Sequence, residues 1–367
     1  MQATAESARI PTLDGWRGVS ILLVLLSHAA LYSRFHNLFW AQQGRTAVDI
    51  FFLISGYIIT ARLLDEGDDL NLPAFYYRRA FRILPPVALY LLVIAALSAL
   101  RLIHGVTPAE LLSSLLFFRN YHLPPLGGIY TGHFWSLAIE EHFYLLWPGL
   151  LAFLRPRRAL YAASLGAIAC ALWRHHCFAA AAPSGSSLYF ISLRTDCRLD
   201  GLLIGCCLAI LTSSPSPRAL SVRSWIRRNV PKETPILCGF PAIYLLTHSR
   251  GLPSLWLYLV IAIALGATLF AEPGLIHKFL NLRPLAWIGR ISFGLYVYQQ
   301  VFLLHPTDAP IPHWQLFPLN LLLLFAVATL SYYFFERPIS RIAHNLFPAL
   351  PAPRPSFVTP VGNQEAT

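Results

Sequence analysis

Apolar runs close to twenty residues long recur along this chain and limit what it can fold into. "VSILLVLLSHAALY", "VDIFFLISGYIIT" and "LYLVIAIALGATLF" are examples. A helix needs about twenty apolar residues to cross the roughly 30 Å hydrocarbon core of a bilayer. Hydrophobic residues make up 56% of the 367 and charged residues 12%, about half the charged share of soluble domains. Mean hydropathy is +0.54. The expected fold is all-α, a polytopic membrane protein.

Ten candidate spans can be drawn, near 17–35, 46–63, 84–103, 134–154, 159–177, 199–212, 235–248, 253–271, 288–304 and 315–335. The sixth and seventh are short. Leu111–Phe118 is apolar but too short to cross, and reads as re-entrant or interfacial. If the N-terminus is cytoplasmic, most of the 28 Lys and Arg fall on the cytoplasmic side. That skew fits about ten transmembrane helices with both termini in the cytoplasm, in the inner (cytoplasmic) membrane. The first run can serve as an uncleaved anchor.

The net charge of +11 is then charge that orients helices and meets anionic lipid, with no nucleic-acid partner implied. Six cysteines lie mostly in or beside apolar runs and form no C-x-x-C pair. They read as small apolar residues, with no disulfide framework and no metal site. Residues 1–343 form the expected membrane domain. Residues 344–367, rich in Pro and small polar residues, read as a disordered cytoplasmic tail.

Several spans carry residues that lipid penalises. Arg17 and His28 are separated by ten residues in the first run. On a helix that is about three turns, so both share one face, roughly 16 Å apart along the axis. Arg17 falls at the cytoplasmic mouth and His28 near mid-membrane. A ligand with an anionic head and a long thin arm suits this pair, and acyl-coenzyme A has that shape. Against this, a membrane histidine can simply bond a neighbouring helix, and an edge arginine can snorkel.

Asp49, just inside the second span, requires a partner at such depth. His28 and Arg45 are both candidates. "FYYRRAFRILPP" lies in the connection before the third span. Its Arg79 and Arg82 share a helical face and Arg78 lies one turn from Arg82, which suits either a phosphate clamp or ordinary positive-inside charge. "GHFWSLAIEEHFYLLWP" sends Glu140 and Glu141 into the fourth span, flanked by His133 and His142. Adjacent side chains point about 100° apart on a helix, so the two carboxylates are expected to do separate jobs. Arg194, Asp196, Arg198 and Asp200 in "RTDCRLDG" can pair with one another or bind an acceptor. Arg290 and the Glu336–Arg337 pair close the series at cytoplasmic helix ends.

Across residues 10–342 these segments, in this order, resemble the integral-membrane acyltransferase family 3, which includes O-antigen and exopolysaccharide acetylases. The resemblance rests on the Arg17–His28 spacing, "VDIFFLISGYIIT", Arg79-x-x-Arg82, "WSLAIEEHFYLLWP", "RTDCRLDGLLIG" and the closing "FERP". It implies a ten-helix fold that takes an acyl group, by prevalence acetyl, from cytoplasmic acyl-CoA to a hydroxyl, usually of a carbohydrate. It implies that His28 is catalytic and that Arg17, Arg79 and Arg82 contact acyl-CoA, with Arg78 beside them. Acyl-CoA is a donor substrate here, with no permanently bound cofactor. Many members carry a histidine where this chain has Gln299. No soluble esterase-like domain follows the tenth span, so a second acyl-handling step would fall to a separate periplasmic protein.

Two routes are open to His28. It can act as general base on the acceptor hydroxyl, or accept the acyl group and pass it on. Asp49 or Glu141 would orient it, with Glu140 nearby. A rival reading is a transporter or flippase of a glycan or acyl substrate, since intramembrane His, Asp and Glu also suit proton relays. Lipopolysaccharide, exopolysaccharide, lipid-linked glycans and glycosylated small molecules all stay open as acceptors.

Overall fold

The computed structural model describes residues 10–32, 38–67, 70–122, 128–181, 188–213, 216–248, 254–303 and 313–348. It is all-helical, with no strand among these residues. Helices α1 (Pro11–Tyr32), α2 (Leu38–Glu66), α3 (Leu72–Ala99), the short α4 (Pro108–Leu115) and α5 (Phe134–Ala181) form the first half. Then come α6 (Leu188–Ile191), a 3₁₀ turn (Thr195–Cys197), α7 (Asp200–Ser213), α8 (Pro217–Asn229), α9 (Thr234–Leu237) and α10 (Gly239–His248). The chain continues through α11 (Leu255–Phe270), α12 (Leu275–Leu280), α13 (Arg283–Arg290), α14 (Ser292–Leu303), α15 (Leu319–Leu330), a π-helical turn (Ser331–Glu336) and α16 (Arg337–Leu346). Of the Pro-rich tail, residues 349–367 lie outside the described residues, as does the side chain of Arg45.

By length and hydropathy four helical stretches can cross a membrane alone: Thr46–Glu66, Leu72–Ala99, Phe134–Ala181 and Leu319–Leu346. A fifth is added if α7 and α8, bent by 96°, make one span. The longest stretch, α5, is two arms: Arg155 has φ 61° and ψ 159°, outside the helical region, ahead of Pro156. The arms coincide with the fourth and fifth runs, and the "RPRR" between them supplies the break, because proline disfavours helical backbone in the residue before it.

The third run is longer than expected. "FYYRRAFRILPP" is helix, not connection. Asn71 caps α3 by accepting from the Ala74 N–H at 3.0 Å, Pro73 suits the first turn, and Pro85–Pro86 sit inside the helix. Arg78, Arg79 and Arg82 thus ride on the helix that continues as the span. The ninth run is broken the other way, with α13 ending at Arg290 and α14 starting at Ser292.

Helices α2 and α7 meet backbone to backbone. A Cβ at Gly56 would stand 2.0 Å from the Leu202 carbonyl oxygen, and one at Gly205 would stand 2.1 Å from that of Leu53. Small residues permit this approach, which dispersion and close packing then stabilise. Buried Ile21, Val24, Phe52, Leu202, Cys206 and Leu295 tie α1, α2, α7 and α14 into one core. That core fixes the inner faces of α1 and α14, where the polar residues gather.

Candidate active site

His28 lies on the fifth turn of α1, three turns from Arg17, and both are partly accessible. Its Nδ1 is 3.1 Å from the Val24 carbonyl oxygen. A carbonyl only accepts, so in neutral His28 the proton is on Nδ1 and Nε2 carries the lone pair. The ring therefore presents a base to its surroundings. No carboxylate orients it among the described residues; the backbone of its own helix does.

The carboxylates expected beside His28 are held elsewhere. Asp49 accepts from Arg198 Nη2 at 2.7 Å and from the Tyr258 hydroxyl at 2.7 Å, in a fully buried cluster. Arg198 also lies over the Trp135 ring at 5.2 Å. Beside it, Arg174 pairs with Asp200 at 2.7 Å and donates to the Cys197 carbonyl. Arg198 and Asp200 of "RTDCRLDG" are thus buried clamps on other helices. Arg194 and Asp196 pair with each other at the surface, where Trp173 also donates to Asp196.

Glu141 accepts from Arg79 at 2.6 Å, and the Arg79 guanidinium lies 3.1 Å above the Tyr144 ring. Glu140 accepts from the Ser55 hydroxyl at 2.9 Å. The adjacent carboxylates do separate jobs, as their 100° offset requires: one ties α5 to α3, the other ties α5 to α2. Arg78 is engaged at the helix ends, donating to the Phe347 carbonyl at 3.1 Å and to Glu66 at 3.3 Å. Arg82 differs. Arg17, Arg62 and Arg79 lie within electrostatic reach of it, and its side chain is exposed. Guanidinium groups gathered this closely favour a multivalent anion between them.

The other wall is α14, which reaches His28 through Gln299. Gln299 is fully buried and neither end of its amide has a hydrogen bond. Its neighbours on α14 are held fast. His133 bonds through Nε2 to the Val297 carbonyl at 3.1 Å. In the orientation that satisfies both its ends, the Gln300 amide donates to His133 Nδ1 at 2.8 Å. The Tyr298 hydroxyl bonds Ser331 at 2.9 Å. These bonds fix α14 on both sides of Gln299.

The family model for the Acyltransferase domain matches residues 10–337. The chain belongs to acyltransferase family 3. Among curated family relatives, the O-acetyltransferase OatA of Staphylococcus aureus (strain MRSA252) is 28% identical over 400 residues, covering 96% of this chain and 60% of that protein. The peptidoglycan O-acetyltransferase OatA of Listeria monocytogenes is 29% identical over 381 residues, covering 93% of this chain and 58% of that protein. The chain thus spans about three fifths of the length of these relatives. No solved structure matches it.

Within this acyltransferase, Arg17, Arg79, Arg82, Glu140 and Glu141 come within electrostatic reach of one another from α1, α3 and α5, His28 lies three turns further along α1 beside Gln299, and Asp49 and Arg78 serve other contacts. His133, Gln299 and Gln300 join the site only through the structure. Gln299 and Gln300 lie in an apolar helix, where their depth is one signal and, for Gln299, the departure from the family's histidine is another.

Proposed function

We propose that this acyltransferase moves an acetyl group from cytoplasmic acyl-CoA to a hydroxyl of a carbohydrate, with His28 as the base. The observation that carries this reading is His28, its Nδ1 held by the Val24 carbonyl so that Nε2 carries the lone pair, three helical turns from a cluster of arginines. The coenzyme's phosphates would lie among Arg17, Arg79 and Arg82, with Arg62 at the margin. Its pantetheine arm would run along α1 and present the thioester at His28, at a depth of roughly 16 Å.

In the direct route the acceptor hydroxyl gives its proton to Nε2 as its oxygen attacks the thioester carbon. The C–S bond then breaks, and the imidazolium returns the proton to the departing thiolate. In the stepwise route Nε2 itself attacks and the C–S bond breaks, giving an acyl-imidazolium and a thiolate; the hydroxyl oxygen then takes the acyl group, its proton neutralises the thiolate, and neutral His28 is restored. The names of the relatives favour a peptidoglycan glycan strand as acceptor over lipopolysaccharide. The proposed topology is ten spans with both termini cytoplasmic, the shorter helices pairing to complete those that four long stretches do not supply. A periplasmic acyl-handling partner belongs to the same proposal.

The test is transfer of label from [¹⁴C]acetyl-CoA into polymeric cell-wall glycan by membranes carrying the wild-type chain or His28→Ala. Base-labile label with wild type alone is expected. Equal labelling by His28→Ala would overturn the assignment. A reporter fused at the C-terminus and active only outside the cytoplasm would overturn the topology.

A further inference from the structure

Gln299 has no structural task that its surroundings reveal. It is fully buried, neither its Nε2 nor its Oε1 has a partner of full hydrogen-bond geometry, and its amide is close enough to His28 to act on the ring. Buried polar groups almost always find partners, so an orphan amide at full depth marks a place where a partner arrives. It is not needed to orient His28, whose Nδ1 proton is already held by the Val24 carbonyl. Nor is its position loose, because Val297 and Gln300 are gripped by His133, and Tyr298 by Ser331.

We infer that Gln299 is a catalytic residue, whose Nε2–H donates to the acyl carbonyl oxygen and stabilises the oxyanion that forms there. This rests on the reading of His28 as the reacting base. With the carbonyl carbon facing His28 Nε2, its oxygen would point at the neighbouring amide. As the hydroxyl oxygen bonds to that carbon, the carbonyl electron pair moves onto the oxygen that Gln299 holds. The hydroxyl proton passes to His28, the C–S bond breaks, and the thiolate takes the proton back. Gln299 gives up no proton and ends unchanged. A neutral donor suits this role in a low-dielectric site: it is fixed in advance and brings no net charge that would disturb the imidazole.

The experiment has two readouts on the full chain in membranes. For turnover of [¹⁴C]acetyl-CoA, Gln299→Leu is expected to lower kcat by about 100- to 1,000-fold, the usual loss of one oxyanion donor, with the KM for acetyl-CoA little changed. Gln299→His, which keeps an N–H donor, is expected to recover most of that loss. For the second readout, ¹³C-carbonyl acetyl-CoA is bound to His28→Ala, which cannot turn it over. Its carbonyl infrared stretch is expected to shift upward when Gln299→Leu is added. Unchanged kcat and an unchanged stretch would overturn the role of Gln299 alone. If acetyl-CoA neither binds nor labels with the wild type, the donor reading fails and this inference with it.

Discussion

Arg198 donates to Asp49 across 2.7 Å with both side chains buried, joining α2 to the start of α7 over 149 positions of sequence. The Tyr258 hydroxyl supplies Asp49 with a second donor. A carboxylate held this way is a structural post. Removing one partner of such a pair strands the other charge at depth. Arg198→Ala is therefore expected to destabilise the fold by about 3–5 kcal/mol. Thermal unfolding in detergent would measure it, and loss of folded protein should accompany loss of activity.

His28→Ala should behave in the opposite way. The ring bonds to its own helix and braces no neighbour through a charge. Folded yield and unfolding temperature are expected to stay near wild type while kcat falls by at least 10²–10⁴-fold, the range for general-base catalysis. Stability and turnover measured on one preparation would separate this outcome from a folding defect.

The two arginines of the Arg79-x-x-Arg82 motif should part company. Arg79 pairs with Glu141 and stacks on Tyr144, so Arg79→Ala leaves Glu141 without its cation and is expected to cost stability as well as donor binding. Adding Glu141→Gln should restore much of the stability and little of the binding. Arg82 makes no ion pair among the described residues and faces Arg17, Arg62 and Arg79. Arg82→Ala should raise the KM for acetyl-CoA about tenfold with unfolding unchanged. Equal effects at both positions would refute the division.

The surface pair near Asp196 predicts a pH dependence. Burial pushes the Asp196 carboxyl up, but hydrogen bonds from Arg194 and Trp173 outweigh it and hold the group below the usual carboxylate range. Its folded pKa is thus depressed. The stabilisation it supplies is full above the ordinary carboxylate pKa and fades as pH falls through the lowered value. Trp173 fluorescence, isolated by subtracting Trp173→Phe, should change only in that acid window, and Arg194→Ala should move the change to higher pH. An unshifted midpoint would count against the pairing.

The helices of this protein are legible in its apolar runs because lipid leaves the backbone no alternative. The break at Arg155 is legible too, in "RPRR". The partner of Asp49 is not: periodicity reports which residues share a helix face, never which helix lies opposite. His28 and Arg45 are the nearby choices, yet the partner, Arg198, stands 149 positions away, directly after the 3₁₀ turn. The length of α3 was hidden for another reason. Prolines and arginines read as a connection, but a capped helix start places them on a continuous cylinder. Gln299 could be seen as a departure from a motif, and only its empty hydrogen-bonding positions give that departure a meaning.

The backbone contact of Gly56 with Leu202 and of Gly205 with Leu53 also bears on motion. Two helices whose backbones interlock at two points one turn apart cannot step past each other by a turn, the way packed elements do in ratcheting proteins. Helices α2 and α7 therefore travel as one body. The seam between α3 and α16 is made of side chains instead, a Tyr77–Phe347 stack and one Arg78 bond to a carbonyl. Side chains can re-pack where interlocked backbones cannot, so the α3–α16 seam is the more yielding of the two.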